Sequence, residues 1–142
     1  MSDVRVYAVP REMLDAMWSD AARWLKPAVD RSNGRTNISD TYADIASGNS
    51  VLWVVLKGDV PAGYYTTRVT SYPGCRAMVL DWIGGSGISS WMHETIDAMR
   101  KHADHNGCSH IEFTGREGWG RLLKGTGWKP EYVCYKMELT DG

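Results

Sequence analysis

The chain has 142 residues, of which 43% are hydrophobic and 23% charged, with a formal net charge of −1. That length suits one compact domain with a real core. The near-neutral charge argues against a general binder of nucleic acid or of a membrane surface. No apolar stretch is long enough to span a bilayer, and no secretory signal opens the sequence. Three cysteines, Cys75, Cys108 and Cys134, are an odd number without a CxxC pair, which fits a reducing cytoplasm better than a disulfide scaffold. Seven tryptophans against one phenylalanine place large rings in the core or at an interface.

Residues 4–9 alternate and are β-rich, a first strand ended by Pro10. From Arg11 the apolar positions Leu14, Met17, Trp18, Ala21, Trp24 and Leu25 lie on one helix face, and Pro27 predicts its end. Residues 30–37 are polar around Asn33-Gly34 and read as a loop. Ser39 is placed to cap a short helix through Tyr42 and Ile45, stopped by Gly48. Residues 51–57 form a nearly all-apolar strand. Gly58-Asp59 turns it into a long strand over 60–72, bulged near Gly63, and Pro73-Gly74 leads into a third strand over 76–83.

The sequence then reads Leu80-Asp81-Trp82-Ile83-Gly84-Gly85-Ser86-Gly87-Ile88-Ser89, followed by Met92, Ile96, Met99 and Ala103 at helical spacing. Strand, glycine-rich turn, helix: this order aims backbone N–H groups and a helix dipole at one place, a setting for a phosphate or pyrophosphate. The same turn also serves simply to reverse a chain. A P-loop is disfavoured, because no Lys-Ser/Thr pair follows the glycines. After Asn106-Gly107 come a strand over 108–114, a short helix over 117–124 closed by Gly125 and Gly127, and a final alternating strand over 128–139. The predicted architecture is α+β: a mixed sheet, mainly antiparallel with one βαβ unit, and helices on both faces, in a single domain over 1–142.

That order, with the glycine turn after the fourth strand, resembles the GNAT (GCN5-related N-acetyltransferase) fold over nearly the whole chain. In that family the turn carries Arg/Gln-x-x-Gly-x-Gly/Ala. Here Gly85, Gly87 and Ser89 take the small positions, while the preceding basic position is Gly84. The stretch Leu122-Leu123-Lys124-Gly125-Thr126-Gly127-Trp128 resembles the family's closing motif. Arg116 stands about where an asparagine is usual, and Leu123 about where a tyrosine protonates the CoA thiolate. The phrases LWVV, TTRVTSYP, LDWIGG and WGRLLKGTGWKPEYVCYKMEL are similar to those of small GNAT-like proteins of tailed bacteriophages.

The resemblance implies an N-acetyltransferase moving acetyl from acetyl-CoA to an amine acceptor. Trp82, Ile83, Gly84, Gly85, Ser86, Gly87, Ile88, Ser89 and Arg116 would then hold the cofactor. Such a reaction needs a base. Asp81, at the end of the strand entering the turn, and Glu112, on the neighbouring strand, are the candidates, each also readable as an ordinary sheet carboxylate. Tyr132 and Tyr135 are the tyrosines available to replace the missing acid. His93 and His110 read as surface histidines before they read as bases. Cys108 and His110 share a strand face, but two ligands do not make a metal site, and no metal is expected. The phage likeness implies a different role: a catalytically inactive virion component or host-interaction module, held in the host cytoplasm or packaged in the particle. Tryptophan-rich surface would then meet other phage or host proteins.

Overall fold

The computed structural model describes residues 3–140. Its centre is a five-stranded sheet in the order β1-β2-β3-β4-β5, formed by Val4–Ala8, Val51–Lys57, Val60–Ser71, Arg76–Gly85 and His110–Phe113. The first four strands run antiparallel to their neighbours, and β5 runs parallel to β4. The parallel pair needs a crossover, and the helix α3, Met92–His105, supplies it.

Two cores lie on the two faces, as alternating side chains require. Trp53, Val55, Tyr65, Met78, Leu80 and Ile83 point to the side covered by α3, where Ile96 and Met99 meet them. Leu52, Val54 and Tyr64 point to the other side, under α1, Leu14–Asp30, and α2, Ile38–Ala46. Ala21, Leu25 and Val29 are fully buried on the inner face of α1. Truncating Leu25 to alanine there would cost about 2–5 kcal/mol.

Several sequence expectations need correction. The helix α1 does not stop at Pro27 but runs through it to Asp30. Pro27 is exposed and forfeits one backbone bond, while buried Leu25 and Val29 on either side hold the helix on its course. The cap of α2 is Asn37, not Ser39: its side chain accepts from the Asp40 N–H at 2.8 Å. The strand β4 runs two residues further than expected, to Gly85. The expected strand over 128–139 is not formed. After the short helix α4, Trp119–Leu122, residues 129–139 are exposed, and among the described residues no strand pairs with them. Among the described residues no strand lies beside the outer edge of β5, so the alternating pattern stays without a ladder.

Candidate active site

The candidate site is set by how β4 finishes. Gly84 and Gly85 are strand residues, paired with Tyr64 and Gly63. A Cβ on Gly84 would sit 2.0 Å from the Trp24 carbonyl oxygen, so glycine here lets α1 lie against the strand. A Cβ on Gly85 would sit 2.5 Å from the Ala62 carbonyl oxygen and 2.9 Å from the Trp91 ring. Protein packing by itself thus requires glycine at both positions.

The turn itself is Ser86–Gly87, shorter than the sequence pattern implies. Gly87 is left-handed at φ 63°, a region glycine enters freely. The Ser86 N–H is spent on the Ala62 carbonyl at 2.8 Å, and Trp91 Nε1 donates to the Ser86 carbonyl at 2.9 Å, fixing the turn from inside. Ser90 donates to the Gly87 carbonyl from both its N–H (2.8 Å) and its hydroxyl (2.6 Å). Among the described residues, the N–H groups of Gly87, Ile88 and Ser89 donate no hydrogen bond. Those donors are what a bound anion would use.

A cation stands beside them that the sequence did not single out. Lys57, the last residue of β2, donates from Nζ to Ser90 Oγ at 3.2 Å. Lys57, Val60, Pro61, Ala62, Ser86 and Gly87 line a depression of about 410 Å³. Only the three-dimensional path of the β2–β3 hairpin brings Lys57 to the turn, so no linear motif announces it. Gly84 occupies the basic position of the sequence pattern, and Lys57 brings a positive charge to the same turn from another strand.

The second feature is the parting of β4 and β5. Their register ends at Leu80 opposite Phe113, while β4 continues through Gly85. From Asp81 onward, the β4 edge facing β5 therefore has no strand partner among the described residues. Backbone groups exposed there are donors for a carbonyl oxygen. About 13 Å of extended chain separates Asp81 from Gly85, at ~3.3 Å per residue.

Asp81 is the extra residue of a bulge: Leu80 pairs with Thr67 and Trp82 with Thr66, leaving Asp81 without an opposite number. Its carboxylate accepts from Arg68 Nε at 2.8 Å. Burial nonetheless raises its pKa above the usual aspartate value. Arg68 pulls the other way without winning, and Asp44 of α2 adds to the rise.

Glu112 is placed differently. His110 Nε2 lies 2.8 Å from one carboxylate oxygen, and Tyr72 donates to the other at 2.8 Å. The His110 hydrogen bond is the largest of the effects that hold the Glu112 pKa low. His110 also lies 2.9 Å from the Ser109 hydroxyl through Nδ1. Glu112 sits opposite Val79 in the register, within the paired part of β4 and β5, whereas Asp81 sits just past it. The structure therefore separates the two carboxylates into an engaged one and a more basic one.

The remaining candidates are scattered. Trp82 packs under α1 and α2, on the opposite face from Ile83 and Trp91. Ile88 is half-buried beside the α3 core. Arg116 lies exposed in the loop after β5, and its carbonyl accepts from the Trp119 N–H. Leu123 is half-buried just past α4. Tyr132 and Tyr135 are both strongly exposed, and Tyr132 comes near enough to Tyr72 to affect its titration. His93 is exposed, 3.8 Å from Asp97. Trp119 and Trp128 both edge onto Phe113, at centroid distances of 5.1 and 6.3 Å. Among the described residues, no three His, Cys, Asp or Glu side chains gather as metal ligands, and no helix is long and apolar enough to cross a membrane.

No family model matches the sequence, and no curated protein matches it. Solved structures do match the fold. A probable acetyltransferase superimposes with a TM-score of 0.70 at 11% identity, covering 97% of this chain and 99% of its own. This is the GNAT acetyltransferase fold. The aminoglycoside N-acetyltransferase AAC(6')-Iy in complex with CoA matches at 0.68 and 13% identity, over 99% and 97% of the two chains. A predicted acetyltransferase from Clostridium acetobutylicum with acetyl-CoA matches at 0.68 and 10%, over 96% of each. At such identities the likeness is one of fold. Against the GNAT order expected from the sequence, this chain has every strand except the last.

Proposed function

We propose that this protein is a GNAT-type N-acetyltransferase that moves an acetyl group from acetyl-CoA to an amine. The observation that carries the reading is the end of β4: a strand edge beyond Leu80, unpaired among the described residues, that leads into a left-handed turn whose Gly87, Ile88 and Ser89 N–H groups are free. Acetyl-CoA supplies the acetyl group as a thioester. Gly87 and Ser89 donate their N–H groups to its pyrophosphate, and Lys57 adds a positive charge from the side. The free edge of β4 from Asp81 donates to the thioester oxygen and polarises the carbonyl. Asp81, with its raised pKa, takes the proton that the amine loses as the new C–N bond forms and the C–S bond breaks. Leu123 offers no proton to the departing thiolate, so that proton comes from solvent through the gap between β4 and β5.

Isothermal titration of the protein with acetyl-CoA and with CoA tests the reading. Saturable binding that is lost in Gly87→Glu, with the fold retained, is the expected result. Absence of binding at millimolar ligand would sink it.

A further inference from the structure

The chain carries two Asn-Gly pairs, Asn33-Gly34 and Asn106-Gly107, and the fold treats them in opposite ways. Asn33 stands in the exposed turn between α1 and α2. Its φ is 58°, a left-handed value that no other non-glycine residue takes among those described. Among the described residues its side chain makes no hydrogen bond, and the Gly34 N–H donates none. The turn is closed by the Arg35 N–H on the Ser32 carbonyl, at a long 3.3 Å. A Cβ built on Gly34 would meet nothing within 4 Å, so the space beside that peptide nitrogen is open. Asn106, by contrast, is held in the end of α3. Its Nδ2 donates to the His102 carbonyl at 2.8 Å, the Gly107 N–H to Asp104 at 3.1 Å, and the Cys108 N–H to Ala103 at 2.9 Å. The other two asparagines are also engaged. Asn37 holds Asp40 through both side-chain ends and is followed by branched Ile38, and the N–H after Asn49, that of Ser50, donates to the Asp44 carbonyl at 3.0 Å.

We propose that Asn33 is a site of spontaneous deamidation, which turns the connection between α1 and α2 anionic as the protein ages. The Gly34 nitrogen attacks the carboxamide carbon of Asn33. The new C–N bond closes a succinimide ring, and the carboxamide NH2 departs with the Gly34 proton as ammonia. Water then opens the ring at either carbonyl, returns a proton to the Gly34 nitrogen, and leaves a carboxyl group that ionises at neutral pH. Only water is consumed, and the step is independent of acetyl transfer. Glycine in second place offers no side chain to hinder the attack. Bringing the nitrogen onto the carbon requires the backbone to swing. At Asn33 that swing disturbs one long turn bond, whereas at Asn106 it breaks the bonds of Gly107 and Cys108 that finish α3. Where the ring opens to isoaspartate, the backbone gains a carbon and the Arg35-to-Ser32 bond is lost. The new charge falls between Arg31 and Arg35, on a chain of formal net charge −1.

Ageing the full chain in warm, mildly alkaline buffer, with peptide mapping by mass spectrometry, tests this. The peptide holding Asn33 should gain about 1 Da, as NH2 gives way to OH. Asn33 should react roughly tenfold or more faster than Asn106, the weight of the hydrogen bonds that hold the latter. In concentrated guanidinium chloride the two rates should become about equal, because only the fold distinguishes the pairs. Asn33→Gln should remove most of the acidic band that grows on isoelectric focusing of aged protein, and with it the labelling by an isoaspartyl methyltransferase. Equal rates in the folded protein overturn the proposal. So does earlier reaction at Asn106, or an Asn33 that reacts in denaturant and stays intact in the folded chain.

Discussion

Arg68 Nε donates to Asp81 across the bulge of β4 at 2.8 Å, yet Asp81 is less acidic than a free aspartate because it is buried. The sign has two consequences. For activity, the acid limb of the rate profile should follow Asp81 and lie above the usual aspartate range. Asp81→Asn should lower turnover by roughly 10²–10⁴-fold, and Arg68→Ala should move the limb to still higher pH. For stability, a carboxyl whose folded pKa exceeds its unfolded value stabilises the fold below the unfolded value. That contribution is lost as pH rises through the folded pKa. Asp81→Asn should therefore melt higher than wild type at neutral pH while working more slowly. Calorimetry beside steady-state kinetics reads both, and a variant that loses stability and activity together would mark Asp81 as structural.

Glu112 should behave in the opposite way. Its pKa is lowered, His110 first and Tyr72 after it. The stabilisation is present above the unfolded carboxylate pKa and disappears as pH falls through the lower folded value. Glu112→Gln should reduce melting temperature at neutral pH and leave turnover within a few-fold of wild type. A large loss of turnover with unchanged melting would return the role of base to Glu112.

The sequence was most legible where the pattern was local. Strand β2 has the limits its apolar run implies, and Met92, Ile96, Met99 and Ala103 all face the core. Pro27 misled because a helix end is decided by burial as well as by backbone chemistry, and Val29 beyond it is fully buried. The glycines answer a demand the linear pattern does not show. Gly84 and Gly85 read as ligand-loop residues, and their missing side chains also make room for Trp24 and for Ala62 with Trp91, contacts set by helix and strand placement. Asp81 could be picked from its position before the turn. That it is bulged and paired with Arg68 depends on a register shift no spacing reveals. The alternation over 128–139 is real, but a strand needs a neighbour, and among the described residues none is paired with it.

The glycines can be sorted by substitution. Gly84→Ala drives a methyl group to 2.0 Å from a backbone oxygen of α1, which must shift the helix. A loss of about 4 kcal/mol or more is expected in denaturant titration. At Gly87 an added Cβ meets only Ser90 Oγ at 3.4 Å, so the cost of Gly87→Ala is that of its left-handed backbone, about 1–2 kcal/mol. Gly87→Ala should stay folded, and Gly84→Ala should be the one that aggregates or melts early. Equal stabilities would mean that α1 can move away from β4.

Lys57 is the residue whose role the linear pattern hides, and it gives the cleanest test of the turn. It is exposed, and its Nζ reaches Ser90 Oγ only at a long 3.2 Å, so Lys57→Gln should leave melting almost unchanged. If Lys57 faces the pyrophosphate, CoA affinity should fall on the order of tenfold, the weight of one charge-assisted contact. Binding by the variant should also respond less to added salt, because one screened charge pair has gone. Dephospho-CoA, which keeps the pyrophosphate but lacks the ribose phosphate, should show the same relative loss. A loss seen with CoA and absent with dephospho-CoA would move Lys57 to the ribose phosphate. No loss with either would leave Gly87 and Ser89 to hold the anion through their N–H groups alone.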